Sequence, residues 1–107
     1  MSVVTDSENC IFCNHRPHGV HHLLFGTSAR KLCDEDGLYI PICDECHTMG
    51  KLEYGYSKDT KIHGNSKAED LSKMLGQAIY EREQAFNGAS RDDARQSFIR
   101  RYGRSYL

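Results

Sequence analysis

A small α+β domain stapled by a metal ion is the fold class this sequence predicts, and three observations carry it. Two Cys-x-x-Cys pairs, Cys10/Cys13 and Cys43/Cys46, bracket two short β-like runs, and two helix-like stretches follow. With 107 residues, of which 38% are apolar and none is Trp, the chain has little material for a core. Chains of this size often need a metal or disulfides to fold. No stretch approaches the roughly 18 consecutive apolar residues of a membrane helix. The start, MSVVTDSENC, has neither the basic end nor the apolar segment of a secretory signal. The expected setting is therefore cytoplasmic and reducing, where paired cysteines hold metal more often than they cross-link.

Residues 1–9 read as a polar, flexible N-terminus. VHHLLF (20–25) and LYIPI (38–42) have strand length and composition. The polar, Gly-bounded GTSARKLCDEDG between them reads as the loop of a long hairpin. Pro41 makes the second strand an edge or ends it there. DECHTMGKLE can form a short helix, and residues 50–61 read as a surface loop.

Residues 66–86 carry the strongest helical pattern. Ser66 and Glu69 have capping-box spacing, and Ala68, Leu71, Leu75, Ala78, Ile79 and Arg82 recur at helical period. Asn87-Gly88 stops the helix. In SRDDARQSFIRRYG, Ser90 is the cap, Asp92 and Asp93 sit in the first turn, and Ala94, Phe98 and Tyr102 form a stripe before Gly103. Net charge is −1, so no global basic field points to nucleic acid. Arg91, Arg95, Arg100, Arg101 and Arg104 cluster locally, as a solvated face or as phosphate contacts.

The cysteine pairs have the spacing of structural zinc knuckles. Four thiolates close a tetrahedron and leave no open position. Two disulfides or reduced core thiols are the competing readings. Cys33 has no partner in this pattern and reads as incidental. Zinc leaves six histidines to account for. His15 and His18 lie in the polar NHRPHG loop, where either could also replace a cysteine in the zinc site.

CIFC, then HHL at the head of a hairpin, then IPICDECH with histidine directly after the last cysteine, resembles the HNH endonucleases. These are the ββα-metal or His-Me finger group, here in the zinc-stapled form found in phages and prophages. The resemblance covers about residues 10–64, with 65–107 as a helical extension packed on that unit in a single domain. It implies a second, catalytic divalent metal (Mg²⁺, Mn²⁺, Ni²⁺ or Zn²⁺) beside the structural Zn²⁺, and DNA as substrate in the cytoplasm of a bacterial host. Carried over by position, His21 is a metal ligand, His22 the general base, His47 the second ligand and His63 a candidate third. Adjacent strand residues point to opposite faces, which suits this division between His21 and His22. Arg30 and Lys31 are candidate phosphate contacts.

The chain departs from the family pattern at the middle Asn, which orients the base histidine: residues 23–42 contain none. A backbone carbonyl or another side chain would have to take that role. Lys51 occupies the spot where a neighbouring-turn ligand would stand. The competing class is a zinc-stapled nucleic-acid or protein binding module, a recombination accessory that does not cut.

Overall fold

A computed structural model of the protein describes residues 1–26, 28–49 and 62–107. Strand β1 (Gly19–His22) pairs antiparallel with β2 (Tyr39–Ile42), placing His21 opposite Ile40 and His22 opposite Tyr39. Helix α2 (Ser66–Phe86) packs on this ribbon and α3 (Arg91–Tyr102) packs on α2. The architecture is a small α+β fold with a two-stranded sheet. Alternation along the strands is clean: His21, Ile40 and Ile42 are buried, while Val20 lies open on the other face. Pro41, which has no N–H to give, offers its carbonyl to Ile11 N–H at 3.0 Å.

The segment between the strands is more than a loop. Ala29–Asp36 forms a helix, α1, closed by Gly37 at φ +73°. Ala, Arg, Lys and Leu are good helix formers, but the segment carries too few apolar residues to show a stripe in the sequence. Its inward face is Cys33, which has no solvent exposure and donates its S–H to Leu24 O at 3.3 Å. Cys33 is thus a core residue rather than an incidental one. After Cys43 the chain makes a short π-type helical turn, Glu45–Met49. The expected surface loop at 50–61, with Lys51, lies outside the described residues.

Helix α2 starts one residue differently from the predicted cap. Asn65, with extended backbone, accepts from Ala68 N–H, and Ser66 is already helical. Glu69 does not reach back to the cap but meets His63 instead. The buried face also differs. Ser72, Gly76, Gln77, Ile79 and Tyr80 are inside, whereas Leu71 and Leu75 of the predicted stripe are exposed. Gly76 marks the turned-in face: a Cβ there would lie 3.0 Å from Leu23 Cβ and Leu24 Cγ, so glycine lets the helix approach the residues that follow β1 without displacing them.

Helix α3 follows its predicted pattern, with Ser90 capping Asp93 N–H, Ala94 and Phe98 buried, and Gly103 at φ +94°. Phe98 stacks on Tyr102, with ring centroids 4.7 Å apart. Two of the clustered arginines are used internally: Arg95 pairs with Glu81, and Arg101 with Glu35 and Asp36. The C-terminal tail is held by Gln77, fully buried, which accepts from Tyr106 N–H at 2.6 Å and donates to Ser105 Oγ at 3.0 Å. At the other end, Ser2 donates to Tyr39 O and Val3 N–H to Gly37 O, so the first residues lie against the end of α1 and the start of β2.

Two cores result. Leu23, Leu24, Cys33, Leu38, Ile40, Ile79, Tyr80 and Phe98 form one. Cys10, Ile42, Cys43, Cys46 and Ile62 form the other. Among the described residues, no helix is long and apolar enough to cross a membrane.

Candidate metal centres and the adjoining cleft

Local backbone geometry builds the cysteine cluster. Asn14 N–H returns to Cys10 O at 2.9 Å, with Asn14 in the left-handed region at φ +63°, closing the first knuckle. His47 N–H returns to Cys43 O at 3.1 Å, closing the second. Ile11 N–H to Pro41 O and His18 N–H to Ile42 O tie the first knuckle to the strand that leads into the second. His18 has a structural use: its Nδ1 accepts from Asp44 N–H at 3.1 Å.

The four sulfurs of Cys10, Cys13, Cys43 and Cys46 lie within 4.8 Å of one another, and Cys13 Sγ is 3.5 Å from Cys43 Sγ. A zinc–sulfur bond of about 2.3 Å gives a tetrahedral S···S edge of about 3.8 Å, so the donor set fits zinc in number, kind and spacing. All five cysteines are free of disulfides. Burial works to raise the Cys10 thiol, but backbone hydrogen bonds from Cys13, Cys43 and Phe12 outweigh it and bring the pKa down to about 6. Burial, with the neighbouring sulfurs, pushes Cys46 up, and burial raises Cys13. Cys10 is thus biased toward the thiolate, while Cys13 and Cys46 need a cation to lose their protons.

The second cluster is His21, His47 and His63, whose nitrogens also converge within 4.8 Å. Their ring centroids are 5.1, 5.0 and 4.6 Å apart in pairs. His63 arrives through backbone pairing: Ile62 N–H donates to Cys46 O and His63 N–H to His47 O, at 3.0 and 2.9 Å. The second cysteine knuckle and His47 therefore share one continuous segment, to which the backbone bonds tie His63.

Hydrogen bonds from outside the cluster decide which nitrogen His21 and His63 offer. Ser72 Oγ gives its single proton to Leu23 O at 2.7 Å, so toward His21 Nε2, at 2.8 Å, it can only accept. His21 consequently carries its proton on Nε2 and presents Nδ1 as a lone pair, 3.2 Å from His47 Nε2. Glu69 accepts from His63 Nδ1 at 3.2 Å, which leaves Nε2 of His63 as its donor atom. A metal–nitrogen bond of about 2.0–2.1 Å implies an N···N edge of about 3.3 Å, close to that His21–His47 separation. Burial, then the neighbouring His47, His63 and His22, drive His21 down to about 3, and burial with His63 also lowers His47. Neutral imidazoles with orientation fixed from behind are what a metal needs. Removing the Ser72 hydroxyl (Ser72→Ala) frees the ring to rotate and is expected to weaken metal binding at this cluster by about 10- to 100-fold. Competition titration with a coloured chelator checks this, with the cysteine site as internal reference.

A pH dependence follows. His21 stays neutral in the fold while the unfolded chain binds a proton below about pH 6.5, so its contribution is intact above that value and is lost as pH falls toward 3. With only the cysteine centre loaded, stability should drop by about 1 kcal/mol near pH 5.5 from this group. Denaturant midpoints of the parent and of His21→Gln between pH 7.5 and 5.5 check it: the variant's dependence should be shallower.

His22 lies on the opposite face of β1 from His21, and its Nε2 is 2.7 Å from Asp34 Oδ1 on α1. A cleft of about 330 Å³ is lined by Val20, His22, Phe25, Arg30, His47 and His63. Phe25 packs edge-on against His63 with centroids 4.8 Å apart, and Lys73 Nζ sits 4.7 Å over the Phe25 ring. The cleft thus joins His22, two members of the histidine cluster and one of the two predicted phosphate contacts. Lys31 is exposed on α1 and is not part of the lining. Reading the sequence did not single out Asp34, Ser72 or Phe25, and it assigned Glu69 only to a helix cap. Each reaches the cluster or cleft only through the fold.

These observations define a small α+β protein with two clusters that can each hold a metal ion, one of four cysteines and one of three histidines. Comparison with protein-family models, curated proteins and solved structures found no match to this chain.

Proposed function

We propose that the protein is a metal-dependent endonuclease that hydrolyses DNA phosphodiester bonds on a zinc-stapled ββα-metal scaffold of the HNH kind. One observation carries the reading: His22 shares a cleft with His47 and His63, two members of a three-imidazole cluster whose ring nitrogens converge. A structural zinc staple requires none of these histidines. The roles follow from chemistry. His21, His47 and His63 hold the second metal, which when bound supplies Lewis acidity at the scissile phosphate and its leaving oxygen. His22, as neutral imidazole, takes the proton of the attacking water. Arg30, on the cleft wall, contacts a phosphate oxygen. An all-imidazole donor set suits Zn²⁺, Ni²⁺ or Mn²⁺ better than Mg²⁺, which prefers oxygen.

The second reading, a binding module without cleavage, is favoured by a different feature. Phe12, Leu71 and Leu75 stand exposed around an apolar groove of about 250 Å³, the kind of surface that meets a partner. Supercoiled plasmid separates the two. Protein incubated with it and Mn²⁺, Ni²⁺, Zn²⁺ or Mg²⁺ is expected to nick it, least well with Mg²⁺. Retarded but uncut DNA with all four metals would transfer the case to the binding module.

A further inference from the structure

The geometry points to Asp34 as the residue that positions His22, and this rests on the reading of His22 as the general base. The bond is short, 2.7 Å between His22 Nε2 and Asp34 Oδ1, and the imidazole side chain is only 12% exposed. A carboxylate accepts and cannot donate, so Nε2 must carry the proton. The nitrogen left with a lone pair is Nδ1, and that is the atom able to take a proton from water. Asp34 thereby fills the orienting role for which residues 23–42 offer no Asn.

Asp34 is not a carboxylate that happens to swing past. Its own side chain is 63% exposed, but both of its chain neighbours are anchored. Cys33 is sealed in the core. Glu35 is bound by Arg101 Nη2 at 2.9 Å, while Asp36 accepts from Arg101 Nε and from Tyr102 O–H, each at 2.7 Å. Beyond them Gly37 lies under the N-terminal residues, where a Cβ would come within 2.7 Å of Met1 O. The last turn of α1 is fixed from α3 and from the N-terminus, so the Asp34 carboxylate holds the His22 ring on the cleft wall. Of the three consecutive acids, one serves the site and two secure the helix that carries it.

The test uses zinc-loaded full-length protein and two variants, Asp34→Ala and Asp34→Asn. In the parent, a carboxylate-bound imidazole N–H should give a downfield proton resonance that exchanges slowly with water, assigned to His22 by its loss in His22→Gln. Asp34→Ala should abolish that resonance and lower kcat for plasmid nicking by about 10- to 100-fold, with KM and metal content unchanged. Asp34→Asn keeps an oxygen that can accept the bond, and should retain the resonance and most of the rate. A resonance that survives in Asp34→Ala, or a parent-like kcat in that variant, overturns the proposal. If the parent cuts no nucleic acid, the endonuclease reading falls, and the resonance still decides whether Asp34 holds His22.

Discussion

Replacing Cys43 with serine is expected to give a chain that retains no zinc at the cysteine cluster and does not melt cooperatively. The reason is the composition of the core around that site. Apart from the cysteines themselves, its buried members are Ile42 and Ile62. Two isoleucines supply only about 3–6 kcal/mol of burial at best, which the ordering of the surrounding knuckles readily consumes. Structural zinc supplies an apparent 10–16 kcal/mol at neutral pH in small zinc-dependent units, against a net domain stability of about 5–15 kcal/mol. The damage should also spread. Ile62 and His63 pair with Cys46 and His47 through the backbone, so loss of the second knuckle removes two of the three imidazole donors. Metal analysis by mass spectrometry with a thermal melt decides the matter. A folded, zinc-free Cys43→Ser protein with the parent's melting temperature would show that the four sulfurs are ordinary core thiols.

The second large effect concerns the adjacent histidines of β1. On the endonuclease reading, His22→Ala should lower nicking by about 10²- to 10⁴-fold, while zinc content, melting temperature and DNA binding stay near the parent's. Its side chain meets Asp34 and the Tyr39 ring and takes no part in either buried core, so the fold has little to lose. His21→Ala and His47→Ala should behave differently. Each deletes one of three converging donors, which weakens metal binding rather than proton transfer, and excess metal restores part of the rate by mass action. His21→Ala should in addition destabilise the protein, since His21 is buried and hydrogen-bonded through Ser72 to the ribbon. The decisive comparison is the metal titration of nicking rate across the three variants. Equal rescue of all three by metal would place His22 among the ligands, and parent-like cutting by His22→Ala would remove it from the chemistry.

Which parts of this protein were legible from its residues follows the range of the interactions involved. Each cysteine knuckle needs only a two-residue turn to bring its sulfurs to one ion, so the spacing of Cys10/Cys13 and Cys43/Cys46 was sufficient to expect the cluster. The period-2 geometry of a strand likewise separated His21 from His22 before any fold was known, and His21 lies in the interior while His22 lines the cleft on the opposite face. Helix α3 was readable end to end because its cap, first-turn acids and stop glycine are local signals.

What only the tertiary structure decided depends on contacts between residues far apart in the chain. The exposed Leu71 and Leu75 were expected inside, but the helix approaches the residues that follow β1 at Gly76: hydrophobic period cannot register the missing side chain that permits such an approach. Helix α1 carries no apolar stripe, because its one buried residue, Cys33, and the clamp from Arg101 hold it in place of a stripe. His63 joins His47 through one backbone bond, with Ile62 to Cys46 beside it and no side-chain signature, and Ser72 reaches His21 from a helix 51 residues on. The sequence by itself determined which residues could bind metal and that His21 and His22 would occupy opposite faces of β1. The fold alone determined their convergence and the nitrogens that His21 and His63 present, because both are set by hydrogen bonds and packing between segments that local preference does not connect.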